Sequence, residues 1–330
     1  MYSIVKNKNS SSIRIAYVDM WENFQPEHFR LNKILGRQRE IIIDNENPEF
    51  IICGCMGKDY LKYDCIRIQV LGEALVPDFN VYDYAVGFDR IQFGSRYLRC
   101  PLYVFYNTDF ELAKKKHELS NEFYMNKKKF CNFIVSNGKA MPEREEFFYK
   151  LTGKRKIDSA GRYLNNMENG ENVANKLEFQ RDYKFSLAFE NSIIDGYVTE
   201  KIIQAWAAAT IPIYLGGNGI EKEFNERAFI DVSKFDSFDA CIDYILWLDD
   251  NPTEYIKMMR EPIILPGYEV DYEMELIKFF EYIFENREFQ RNSKLTLWGR
   301  EYEERLINAS GSIKEYLGKK LKKISWLRKL

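Results

Sequence analysis

Histidine is almost absent from this chain: His28 and His117 are the only two among 330 residues. Two imidazoles so far apart give no basis for a histidine-rich metal cluster, and they make a histidine-based catalytic triad unattractive. Each reads as a surface or packing residue. Net charge is almost absent too, with 48 Lys and Arg against 50 Asp and Glu, a formal −2. A nucleic-acid binder shows a global basic field that is missing here, so no nucleic-acid partner is expected. Long hydrophobic runs are lacking: nothing approaches the roughly 18 uncharged apolar residues that a membrane-spanning helix needs. The stretch from Met1 to Ser12 is polar and has no apolar signal core. Cys53, Cys55, Cys65, Cys100, Cys131 and Cys241 form no zinc-type CxxC pairs, and Cys53-Gly54-Cys55 is a weak metal or redox signal. Small buried thiols in a reducing compartment are the expectation, which implies a cytoplasmic chain.

What is present is apolar material for a large core, 45% hydrophobic and 15% aromatic, at a length that suggests two domains. The stretch from Tyr183 to Gly217 is the most informative. Phe185, Leu187 and Phe189 alternate with Lys184, Ser186 and Ala188, the period of a strand. Asn191 to Gly196 is polar and ends in Asp195-Gly196, a loop signal. Ile202, Trp206 and Ala209 recur at helical spacing, and Ile211 to Leu215 is a short apolar run stopped by Gly216-Gly217. Strand, helix and strand at this spacing predict a βαβ unit with parallel strands. Ligands bind beyond the carboxyl ends of such strands. Glu190 and Asn191 sit at one such end, and Thr199, Glu200 and Lys201 open the helix. Unpaired amides at a helix entrance favour phosphate, and Lys201 adds a full charge. On residue types alone, an ordinary βαβ unit with solvated Lys and Glu is an equal reading.

The remainder of the chain repeats the alternation. Ile13 to Val18, Phe50 to Cys53, Ile66 to Val70 and Tyr84 to Phe88 read as strands of a first α/β domain, with a helix over Glu27 to Leu35. Glu73 follows a strand and Gly72, so it projects at the carboxyl edge of that sheet; on position alone a surface-loop glutamate is the favoured reading. Asp109 to Lys128 is charged and helix-prone and reads as the connection between domains, its lysine runs as a solvated face. Phe130 to Val135 predicts a strand and Pro142 the first position of a helix, with Arg144 in its first turn. A guanidinium binds phosphate oxygens in pairs, so Arg144 and Lys201 at two helix entrances can grip one diphosphate from both sides. Asp158 to Gln180 reads as a long loop with a short helix, and Phe238 to Leu248, Thr253 to Met259 and Met274 to Asn286 as helices.

Two motif clusters resemble a known family. Phe189-Glu190-Asn191-Ser192, Gly196-Tyr197-Val198-Thr199-Glu200-Lys201 and Ile211-Pro212-Ile213-Tyr214 are similar to the donor-binding motif of the α1,3/α1,4-fucosyltransferases. Gly72-Glu73, Pro77-Asp78-Phe79-Asn80, Asp83 to Asp89 and Arg96 to Tyr103 are similar to the acceptor-side segment of the bacterial members. The resemblance implies an α/β fold of the GT-B type, two Rossmann-like domains facing a central cleft, with C-terminal helices. It implies an acceptor-side domain over 1–110, a linker over 111–129, a donor domain over 130–290 and a basic helical tail over 291–330. The implied reaction is inverting transfer of L-fucose from GDP-fucose to a 3- or 4-hydroxyl of N-acetylglucosamine, in an N-acetyllactosamine-type glycan such as that of a surface polysaccharide. Glu73 takes the place of the proposed general base. Arg144, Glu190, Asn191, Tyr197, Thr199, Glu200 and Lys201 fall at donor-binding positions, with Glu200 toward the ribose. No covalent cofactor is implied, and no metal site is visible. A GT-B enzyme with another nucleotide sugar, or a non-catalytic glycan or nucleotide binder, remains open.

The last segment has its own pattern. Ile313, Leu317, Leu321 and Ile324 recur at helical spacing among seven Lys and Arg, with Trp326 near the end. A basic amphipathic helix of this kind lies on anionic membrane surfaces, and docking onto the protein is the alternative.

Overall fold

The computed structural model describes residues 12–170, 173–267 and 269–309. The chain forms two compact units. One comprises residues up to Gly87, Ile91–Cys100 and the chain from Tyr272 onward; the other comprises Phe88–Arg90 and Pro101–Asp271.

The first unit holds β1 (Ile13–Val18), α1 (Arg30–Leu35), β2 (Ile41–Ile43), β3 (Phe50–Cys53), β4 (Ile66–Val70), β5 (Tyr84–Gly87) and β6 (Tyr97–Arg99). Its six strands are parallel, in the order β2-β1-β3-β4-β5-β6. β3, β4 and β5 are buried at every residue, as parallel strands covered on both faces must be. Ala16, Val18, Ile51, Cys53, Tyr60, Val81 and Tyr82 make one part of the core.

In the second unit come α2 (Asn107–Lys114), α3 (Asn121–Met125), β7 (Lys129–Phe133), α4 (Pro142–Lys154), β8 (Ile157–Ser159), α5 (Lys176–Gln180), β9 (Tyr183–Phe189), α6 (Glu200–Ala207), β10 (Ile211–Leu215), β11 (Ile230–Asp231), α7 (Phe238–Asp250) and α8 (Pro252–Arg260). The parallel sheet runs β11-β10-β9-β7-β8. Phe133, Phe147, Phe185, Leu187, Ile213 and Ile245 lie at the centre of its core. In chain order both sheets follow the 2-1-3-4-5 pattern of the flavodoxin-like doubly wound fold. In each, the winding direction reverses between the first and third strands. The βαβ unit expected at Tyr183 to Gly217 is β9-α6-β10, with Ile211 opposite Phe185 and Leu215 opposite Phe189.

Three expectations about chain organisation change. The segment 111–129 is not a connection between domains: α2 packs on α6 and α3 on α8, within the second unit. Nor are its lysines all solvated. Lys116 is buried and donates to the carbonyls of Met259 and Glu261 at 2.9 Å, and Lys127 donates to the carbonyl of Ala208 at 3.3 Å. The last carbonyls of α8 and α6 have no intrahelical partner, and these ammonium groups supply one. The second unit also ends at Asp271, not at 290. α9 (Tyr272–Asn286) returns to the first unit, where Phe284 packs on Phe50 with ring centroids 4.9 Å apart and Glu281 accepts both 2.8 Å bonds from Arg39.

The chain after 290 is not a separate tail where it is described. Asp83, fully buried, accepts from the amides of Gln290 and Arg291 at 2.7 and 2.9 Å and pairs with the buried Arg291 guanidinium. α10 (Asn292–Leu295) and helical residues 297–309 follow. The basic segment 313–330 lies outside the described residues. All six cysteines are free thiols, with Cys53, Cys100, Cys131 and Cys241 buried.

Candidate functional site

The reversal in the second sheet falls between β7 and β9. Beyond their carboxyl ends, two adjacent strands turn away to opposite faces and leave a crevice. The loop after β9 and the entrance of α4 meet there. The amide of Met141 donates to the carbonyl of Asn191 at 3.2 Å, and the amide of Ile193 to Sδ of Met141 at 3.0 Å. Pro142 opens α4 as expected, since a first-turn residue needs no amide hydrogen. Arg144, in the first turn, is buried, with its Nη1 donating to Oδ1 of Asn191 at 3.0 Å and its Nη2 to the carbonyl of Asn137 at 2.6 Å. Its guanidinium also faces the ring of Tyr163 at 5.7 Å. Burial lowers its pKa, yet a guanidinium stays charged at neutral pH.

Glu190 follows β9 directly and is completely buried at its side chain. Three donors converge on it: the amide of Thr199 at 2.8 Å, the hydroxyl of Thr199 at 2.7 Å and Nζ of Lys201 at 3.0 Å. Thr199 is the N-cap of α6, and its hydroxyl also lies 3.0 Å from Nζ of Lys201. Glu190 thus occupies part of the anion position that the sequence reading assigned to phosphate at this helix entrance. Lys201 remains an ammonium. Burial opposes its charge, but the carboxylates of Glu190 and Glu200 outweigh burial and raise its pKa. Glu200 lies 3.9 Å from Nζ of Lys201 and is partly exposed. The fold therefore brings Arg144, Glu190, Asn191, Thr199, Glu200 and Lys201 together.

Tyr197 takes a different position. Its ring is buried edge-on against Phe88 at 4.8 Å, and its carbonyl accepts from the hydroxyl of Tyr214 at 3.5 Å. Gly196, at φ 79°, makes the turn that sends the ring inward.

Sequence reasoning missed one neighbour of this cluster. Lys176 on α5 donates to Oε1 of Gln204 at 2.7 Å, and Gln204 donates to Oδ2 of Asp109 at 3.1 Å. Burial lowers the pKa of Lys176, while the field of Glu200 opposes the shift. Its segment reads as polar loop, and no local pattern marks it. A cavity of about 390 Å³ lies elsewhere, lined by Phe229, Phe235, Tyr244 and Met258 with paired charges at its rim; it contains none of the predicted residues.

In the first unit, Glu73 follows β4 at the carboxyl edge of the sheet and is exposed. Its carboxylate has no ion-pair partner among the described residues. The Cys55 thiol, held up by burial, faces the amides of Gly72 and Glu73. Among the described residues no group of three or more His, Cys, Asp or Glu is placed to hold a metal, and no helix is long and apolar enough to cross a membrane.

Two family profiles match in sequence order. The alpha-(1,3)-fucosyltransferase FucT N-terminal domain covers residues 15–106, and the glycosyltransferase family 10 (fucosyltransferase) C-terminal region covers 124–260. The chain is 32% identical to the alpha-(1,3)-fucosyltransferase FucT of Helicobacter pylori, over 85% of this chain and 67% of that protein. It is 32% identical to a Bos taurus 3-galactosyl-N-acetylglucosaminide 4-alpha-L-fucosyltransferase, over 41% of this chain and 36% of that one. An alpha1,3-fucosyltransferase crystallised with GDP-fucose superposes with a TM-score of 0.73 at 30% identity, covering 88% of this chain and 96% of the other. The GT-B type α/β class expected from the motifs is the class of these solved structures. With both profiles matched in order and a relative this similar over most of the length, the chain belongs to the bacterial fucosyltransferase family of glycosyltransferase family 10.

Proposed function

We propose that this protein transfers L-fucose from GDP-fucose to the 3- (or 4-) hydroxyl of N-acetylglucosamine in an N-acetyllactosamine-type glycan, with inversion. One observation carries the reading: Arg144 and Lys201, from two different helix entrances, converge where the second sheet reverses. The bond from the fucose anomeric carbon to the diphosphate oxygen breaks, and negative charge grows on the departing GDP. Arg144 and Lys201 stabilise that charge, with the α6 dipole behind them. Glu190 keeps the Lys201 side chain in position. Glu200 accepts from ribose hydroxyls, Asn191 contacts the donor, Tyr197 supports the loop from its buried position, and Thr199 fixes the helix start.

The new bond forms from the acceptor oxygen to the opposite face of the anomeric carbon, and Glu73 takes the hydroxyl proton. Its exposure and its lack of an ion partner among the described residues suit a base that must meet a substrate proton. The protein works in the cytoplasm at the inner face of the membrane, with the basic segment 313–330 against anionic lipid; the support is the charge and spacing of that segment.

A screen of glycan acceptors with labelled GDP-fucose tests the whole reading, with GDP-mannose and UDP-sugars in parallel. Fucosylated lactosamine is the expected product. Preference for another nucleotide sugar overturns the donor assignment, and GDP binding without product from any acceptor makes the chain a binder.

A further inference from the structure

The first unit carries an aromatic surface that the reaction above does not use. β1 leaves the sheet through Asp19, at φ 55°, and the chain turns at Asn23, at φ 60°. The amide of Phe24 closes that turn onto the carbonyl of Trp21 at 3.2 Å. Trp21 is 50% exposed. Its ring is braced edge-on by Phe24 at 4.7 Å and by Phe29 at 5.6 Å, and those two rings contact each other and Tyr17. The loop that presents it is tied down. The Asp19 carboxylate accepts from the amides of Asp59 and Tyr60, both at 2.9 Å, and its carbonyl accepts from the amide of Met56 at 2.9 Å. The close approach requires Gly54: a Cβ there would stand 2.4 Å from the Asp19 carbonyl oxygen.

Two uncommon left-handed residues and a fixed loop thus hold a large indole half in water. The position has a further consequence. β1, β3 and β4 are consecutive in the sheet, and Glu73 leaves from β4. Two strand spacings, about 10 Å, separate the ends of β1 and β4, which is room for two pyranose rings side by side. The apolar face of a pyranose is a row of C–H groups, which an indole face covers while the hydroxyls stay in water.

We propose that Trp21 is a stacking platform for the acceptor sugar next to the one deprotonated by Glu73, and so a determinant of acceptor specificity. This rests on the reading of the first unit as the acceptor side. The platform selects disaccharide over monosaccharide acceptors and acts on binding, since it does not touch the reacting atoms.

The test is fucosylation kinetics with N-acetyllactosamine and with the methyl glycoside of N-acetylglucosamine, for the full chain and for Trp21→Leu and Trp21→Phe. Trp21→Leu keeps an apolar cover over Phe24 and Phe29 but removes the aromatic face. It should lower the kcat/KM ratio of disaccharide to monosaccharide about tenfold, the effect of roughly 1.4 kcal/mol, and the change should lie in KM. Trp21→Phe should keep most of the ratio. An unmoved ratio in Trp21→Leu, or a fall carried by kcat, overturns the platform while leaving the Glu73 assignment intact. Absence of transfer to both acceptors by the unsubstituted chain, or full turnover by Glu73→Gln, overturns the reading beneath it.

Discussion

The two sheets share one strand order and reverse at the same place, yet their carboxyl edges are built in opposite ways. In the second unit the buried Glu190 is paired with the largely covered Lys201, and the buried Arg144 is bonded to Asn191 and to the Asn137 carbonyl. At the corresponding edge of the first unit, Glu73 is exposed and Trp21 half exposed. In the proposed reaction the contrast follows from what each edge would hold. Two cations facing one diphosphate repel each other, and a buried carboxylate beside Lys201 keeps that charge in place. A base that receives a proton from a neutral alcohol needs access more than a fixed lattice.

The largest effect that would break this contrast lies at Glu73. Glu73→Gln should cut turnover by about 10²–10⁴-fold with GDP affinity unchanged; loss of nucleotide binding in titration calorimetry would show that the edge does not work alone. Next comes the buried pair. Lys201→Ala should weaken GDP binding and leave Glu190 as an uncompensated buried charge, a loss of about 3–5 kcal/mol in unfolding free energy. Adding Glu190→Gln should recover much of that stability in denaturant melts but none of the GDP affinity. Recovery of both would mean that Lys201 is only a structural partner.

A pH experiment sharpens the difference in rigidity. Burial pushes the pKa of Lys116 down to about 7 from 10.5, and that of Lys127 likewise. Between those values the unfolded chain holds protons that the folded chain has released, so stability contributed by these sites rises with pH from 7 towards 10.5. Lys116→Met should flatten that rise, read from hydrogen exchange of second-unit amides, with first-unit amides as the reference. The smallest effect is at the helix start. Thr199→Ala removes the N-cap of α6 and one donor to Glu190, and should cost about 1 kcal/mol with little change in turnover.

Local pattern reached much of this. The alternation in Phe185, Leu187 and Phe189, the Pro142 helix start and the paired motifs at 189–201 were all readable, because strand period, proline geometry and polar loop chemistry act over a few residues. The buried lysines were not readable. Lys116 and Lys127 stand in runs that look like a solvated face, and only the carbonyls at the ends of α8 and α6, far along the chain, draw them inside. Lys176 escaped for the same reason: its partner Gln204 lies 28 residues away.

By itself the sequence determined the α/β class, the positions of β1, β3, β4, β5, β7, β9 and β10, and the identity of the charged groups around α6. Those depend on side-chain periodicity and on residue type. Tertiary structure alone decided that α9 crosses back to the first unit, that Arg291 is buried against Asp83, and that Glu190 meets Lys201 at the helix entrance. Such pairings join residues distant in sequence. They are selected by which buried charge finds a partner once the sheets have formed, and no local window contains that information.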